Sequence, residues 1–146
     1  MQATLEKFGY PSSLIKEFEH WMVLLRPQQV TLGSVILIEK SGQTRLSDLS
    51  TESFVEYGQV VKKLEKALES LFQYNKINYL MLMMVDPEVH FHVIPRYEAE
   101  RVYGGVRFID HGWPKLPDLA RHVELPEEDS NGLIIQIRST IDEAVD

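Results

Sequence analysis

Glu88, His90 and His92 alternate with Val89, Phe91 and Val93 in the segment EVHFHVIPR. On an extended chain successive side chains point to opposite faces, so the carboxylate and the two imidazoles share one side. Same-face neighbours stand about 7 Å apart along a strand. Such a cluster admits three chemistries. A neutral imidazole is a competent nucleophile near neutral pH. Histidines two residues apart, with a carboxylate, also suit zinc or iron. That reading needs a further ligand, and the spacing nominates none of His20, His111 and His122. The third possibility is a solvated face of an antiparallel sheet, since short motifs recur by chance.

The elements that would position this cluster follow from periodicity. Residues 14–25 are rich in apolar, aromatic and β-branched types and predict one or two strands, broken at Arg26-Pro27. Residues 33–39 predict a strand opened by Gly33, and Ser41-Gly42-Gln43 a turn. Ser50 suits a helix N-cap and Glu52 the positive first turn. Phe54, Tyr57, Val61, Leu64, Leu68 and Leu71 then give an apolar stripe over a helix at 51–73. Residues 77–85 are apolar on both faces and predict a central buried strand, its methionines serving as core. Residues 88–95 predict a second central strand, with Val89, Phe91 and Val93 against the helix and Glu88, His90 and His92 lining a cleft on the opposite face. Residues 98–127, with Gly104-Gly105, Pro114, Pro117 and Pro126, predict an irregular excursion. A last helix near 129–145 carries Ile134, Ile137, Ile141 and Ala144 on one side.

Bulk properties narrow the partners. The chain has 146 residues, which predicts one α+β domain over 1–146. It lacks cysteine, which removes disulfides and thiolate metal sites. Its formal charge of -7 makes nucleic acid and anionic membranes poor partners, while a small phosphorylated ligand needs only one local positive site. With no signal-peptide pattern and no apolar run of spanning length, a cytoplasmic location is expected.

HFHVIPR resembles the second half of the histidine-triad (HIT) motif, in which histidines alternate with apolar residues and Pro-Arg often follows. RPQQVTLGSVILIEK and LSDLSTESF, with the long helix after it, are similar to the family's upstream strand and central helix. The resemblance covers residues 14–97, with 98–146 as a C-terminal extension. It implies an antiparallel sheet of about five strands, the long helix on one face and a C-terminal helix. It also implies a homodimer and a nucleotide-type small-molecule substrate. Within it His90 is the nucleophile that attacks an α-phosphate and forms a covalent nucleotidyl-histidine, and His92 contacts the phosphate or the leaving group. The implied activity is hydrolysis or nucleotidyl transfer on a nucleoside phosphoramidate or a dinucleoside polyphosphate. No cofactor is required, although magnesium can accompany the substrate.

The first triad position holds Glu88 rather than histidine. A carboxylate 4 Å from a phosphate charge costs about 4 kcal/mol at an effective dielectric of 20. Glu88 therefore needs a cation, a proton, or an orientation toward the histidines, whose basicity it would raise. Arg26, where relatives often place a ribose-binding Asn, and Arg96 are the candidate cations and substrate contacts. Ser34 follows Gly33 where many relatives have histidine, and is a further substrate-contact candidate. Trp113, near Arg107 and His111, is a base-stacking candidate or a plug at the edge of the core. Two rival functions remain open: a nucleotide binder with a degraded triad, and a metal-dependent enzyme using His90, His92 and Glu88.

Overall fold

The computed structural model describes residues 1–143. The apolar runs become short antiparallel strands because each can bury one or both faces. β1 (Leu14–Glu17), β2 (Trp21–Leu25), β3 (Val35–Glu39), β4 (Lys76–Leu80) and β5 (His90–Arg96) form one sheet, in the order β1-β2-β3-β5-β4. Every neighbouring pair is antiparallel. The 14–25 segment thus contains two strands.

The sheet has two unlike faces. On one lie α2 (Thr51–Phe72) and α3 (Glu127–Glu143). Their Leu64, Leu68, Leu133 and Ile137 pack with Val23, Leu37, Val89 and Val93, and all eight are fully buried. α2 begins where its sequence says it should: the Ser53 N–H donates to Ser50 Oγ at 3.1 Å. Its buried stripe is rotated from the expected one, with Val60, Leu64, Ala67, Leu68 and Phe72 inward and Phe54 exposed. The helix ends at Phe72, followed by Gln73 in the left-handed region at φ 50°. Gly33, at φ 86°, lets the chain pass Phe72, whose ring a Cβ there would meet at 3.0 Å. In α3, Ile134, Ile137 and Ile141 are buried as expected. Ala144 lies outside the described residues.

The other face carries a smaller cluster of Phe8, Leu24, Ile36 and Ile38. It is covered by α1 (Gln2–Lys7), which the sequence reading did not anticipate.

Residues 77–85 do not form the expected central strand. β4 ends at Leu80 and lies at the sheet edge. Met81–Val85 then leave the sheet, with Met83 in the left-handed region at φ 50°. Met84 and Val85 are more than 80% exposed. The central positions belong instead to β3 and β5, which are flanked by strands on both sides. The excursion after Tyr97 contains a small hairpin, β6 (Arg101–Tyr103) with β7 (Val106–Phe108). Among the described residues, no helix is long and apolar enough to cross a membrane.

Candidate active site

Strand alternation places the chemistry. Val89 and Val93 enter the core under α2, while His90 and His92 face the α1 side. His90 pairs with Ile38 and His92 with Ile36, and Ile36 in turn pairs with Leu24 of β2. Arg26 lies two residues beyond Leu24, on the same side of the pleat. A cavity of about 520 Å³ opens there, walled by Phe8, Arg26, Met83, Asp86, His90 and His92 among others. That size is ordinary for a small-molecule site.

The imidazoles are held firmly. Nδ1 of His90 lies 2.6 Å from the carbonyl oxygen of Glu88. A carbonyl only accepts, so Nδ1 carries the proton and Nε2 keeps its lone pair. The His90 and His92 rings meet edge to face, with centroids 5.2 Å apart. The Phe8 ring lies 5.9 Å from each of them. Nδ1 of His92 is buried with no hydrogen-bond partner. Burial, then the charge of Arg26, push His92 down to about 4. It is therefore neutral at pH 7.

Glu88 occupies the first triad position but does not join the histidines. Its carboxylate is turned to α1, where it accepts from the Thr4 hydroxyl at 2.7 Å and pairs with the Met1 ammonium at 2.5 Å. The ammonium, then Thr4, hold the Glu88 carboxyl down at about 2. Of the three resolutions open to Glu88, a cation is the one present: its side chain pins α1 through the Met1 ammonium and Thr4, while its backbone carbonyl meets His90. Lys7 adds a second tether, to Asp86 at 2.8 Å.

Arg26 is where the sequence reading put it. It is only 9% exposed, donates from Nη1 to the Gln28 carbonyl at 2.6 Å, and keeps a buried Nε without a partner. Its backbone is fixed by a self-satisfied loop. The Gln29 side chain donates to the carbonyls of Arg26 and Ser34, each at 2.7 Å, and accepts from the Gly33 N–H. Ser34 Oγ donates to the Thr31 carbonyl, and Thr31 donates to the Pro95 carbonyl. Ser34 is fully buried in this network and does not line the cavity. It positions the loop rather than meeting a ligand.

Arg96 and Trp113 are elsewhere. Arg96 is buried in a two-pronged ion pair with Asp110, at 2.7 and 3.0 Å, and donates to Asn78. Its alternation matches the histidines, but its charge is spent anchoring the 109–126 excursion. It lines a separate groove along β4 with Trp113, Lys115 and Leu116. The metal reading fares no better. Among the described residues, the acidic and imidazole groups close enough to share an ion are Glu19, His20 and Glu56, away from His90.

The sequence reading missed Thr4 and Phe8. A six-residue helix carries little periodic signal, and the ties of Phe8 and Thr4 to the histidine strand span more than 80 residues.

The family resemblance seen in HFHVIPR agrees with comparison to known proteins. The HIT domain family profile matches residues 7–99. The chain belongs to the HIT domain family. Its fold is similar to that of a histidine triad protein from Sinorhizobium meliloti, with a TM-score of 0.77 at 18% identity over 96% of this chain and 95% of that one. It is also similar to a histidine triad protein from Bradyrhizobium japonicum, with a TM-score of 0.70 at 16% identity over 88% of this chain and 91% of that one. A Hit-like protein from Bartonella henselae, described as involved in cell-cycle regulation, has a TM-score of 0.66 at 21% identity over 96% of this chain and 95% of that one. No curated protein matches the HIT chain significantly. The antiparallel five-strand sheet with its helices is thus the HIT fold, and the expected α+β class holds.

Proposed function

We propose that this HIT protein is a nucleotide hydrolase or nucleotidyl transferase that works through a covalent intermediate on His90. The observation that carries the reading is the 2.6 Å contact from His90 Nδ1 to the Glu88 carbonyl, at the wall of a cavity. It fixes the tautomer that leaves Nε2 free to attack phosphorus. As the Nε2–P bond forms, the bond from phosphorus to the leaving group breaks and its electron pair departs with that group; the ring becomes cationic, and the Glu88 carbonyl stabilises the Nδ1–H that now carries part of that charge. Phe8 holds both rings at a fixed angle, which limits the entropy lost on the way to attack. Water then attacks the phosphorus and returns the electron pair to Nε2.

The covalent step uses no metal, and magnesium is read as a companion of the substrate's phosphates. The β4 edge of the sheet has no partner strand among the described residues, which suits the homodimer implied by the family resemblance.

The test uses a radiolabelled dinucleoside polyphosphate and a nucleoside phosphoramidate. Wild-type protein should turn over at least one of them, and rapid quenching should trap label on the protein. His90→Ala should abolish both signals. Nucleotide binding with equal, negligible turnover in both proteins would instead establish a non-catalytic binder.

A further inference from the structure

Arg26 is a buried guanidinium in search of an anion. Among the described residues it forms no ion pair, and its Nε lacks any hydrogen-bond partner. Desolvating a cation without a counter-charge is costly, and proteins seldom tolerate it without a use. The other charges at the cavity do not relieve it. Lys7 and Asp86 satisfy one another at 2.8 Å, and Glu124 is exposed and makes no pair with Arg26. Burial disfavours the charged form of Arg26 and so lowers its pKa. Arginine nevertheless stays protonated at neutral pH, which leaves its planar fork poised for a two-pronged anion.

We infer that Arg26 binds a second phosphate of the substrate, the one that leaves when His90 attacks. The site is therefore built to split a phosphoanhydride rather than a phosphoramidate. The inference rests on His90 as nucleophile. In the step, His90 Nε2 bonds to the α-phosphorus while the bond from that phosphorus to the bridging oxygen breaks. The electron pair departs on that oxygen, and the leaving phosphate gains one negative charge, which Arg26 meets with its N–H groups. Water later bonds to the same phosphorus, the P–N pair returns to Nε2, and one proton goes to solvent.

The state of His92 agrees with this choice. An amine leaving group has to be protonated as it departs, and a neutral His92 is a poor source of that proton. A phosphate, with a second pKa of about 6, leaves as an anion and needs none. The fixed Gln29–Ser34 loop means that Arg26 is placed before the ligand arrives.

Binding of α,β-methylene-ADP and of AMP, measured by calorimetry, tests the idea without turnover. The wild type should prefer the diphosphate analogue by about tenfold or more, the usual worth of a charge-assisted hydrogen-bonded contact. Arg26→Gln should erase that preference while changing AMP affinity less than about threefold. Arg26→Lys, which keeps the charge, should keep part of it. Equal affinities in the wild type, no binding of either ligand, or equal losses of both in Arg26→Gln would overturn the inference. Thermal melts of each variant confirm that they are folded. If Arg26→Gln does not fold, the wild-type preference and its survival in Arg26→Lys decide. Hydrolysis that persists in His90→Ala would sink the nucleophile instead, and would leave the binding comparison to stand on its own.

Discussion

The two faces of the central sheet are made by the same strands and obey different rules. Toward α2 and α3, Val23, Leu37, Val93, Leu64 and Leu133 are all fully buried and apolar. Toward α1, the same β5 presents His90 and His92, next to the buried charges of Arg26 and Glu88. The first face maximises buried apolar area, the dominant source of stability. The second leaves Nδ1 of His92 and Nε of Arg26 without a hydrogen-bond partner among the described residues. Unsatisfied buried polar atoms cost stability, and they persist where a ligand completes them. The division shows that one pleated strand can separate what folds the protein from what it does.

That separation can be broken deliberately. The largest effect belongs to His90→Ala, which should cost about ten-thousandfold in turnover while leaving the melting temperature near the wild-type value. A matching fall in stability would mean that the histidine face also holds the fold. Next, Leu64→Ala on α2 should destabilise by about 2–5 kcal/mol in urea unfolding, with KM unchanged for protein that remains folded. A shifted KM would show that the apolar face reaches the site.

Glu88→Gln should cost about 1–3 kcal/mol, because the Met1 ammonium loses its counter-charge and one of the two oxygens that serve Thr4 and Met1 becomes an NH2 donor. Wild-type Glu88 sits at about 2 in the folded protein, below its ordinary 4.5. Its stabilisation is therefore whole above about pH 4.5 and drains away as pH falls from there to about 2. The variant should flatten that limb of the urea-midpoint profile.

His92 acts in a separate, higher pH window. Its folded pKa of about 4 lies below the ordinary 6.5, so the unfolded chain takes the proton first. Stability should be full above about pH 6.5 and decline toward pH 4. His92→Gln should remove this slope, and an unchanged profile would show that His92 does not titrate in that window.

The fold was legible where local signals and burial agreed. HFHVIPR alternates cleanly, Ser50 caps its helix, and both became the elements they predict. MLMMV misled because apolar composition does not distinguish a central strand from a loop that walls a cavity, and Met83 turns the chain at φ 50°. The places of His90, His92 and Arg26 at the cavity wall were legible from type and spacing. The roles of Glu88 and Arg96 were not, since each is decided by a distant partner. Thr4 lies 84 residues from Glu88, and Asp110 claims the guanidinium that the motif offered to substrate. Pairings of that kind leave no periodic trace in a single sequence.

The cover over the histidines has a practical consequence. The family match begins at residue 7, yet Thr4 lies before it and Phe8 just inside it. A truncated protein cut to the family boundary would keep both histidines and lose the hydroxyl that grips Glu88. Its carboxylate would then be released beside the site, restoring the like-charge repulsion toward phosphate that the native arrangement avoids. Trimming to the shared domain would therefore yield a protein that has every motif residue and a poorer affinity for its anionic ligand.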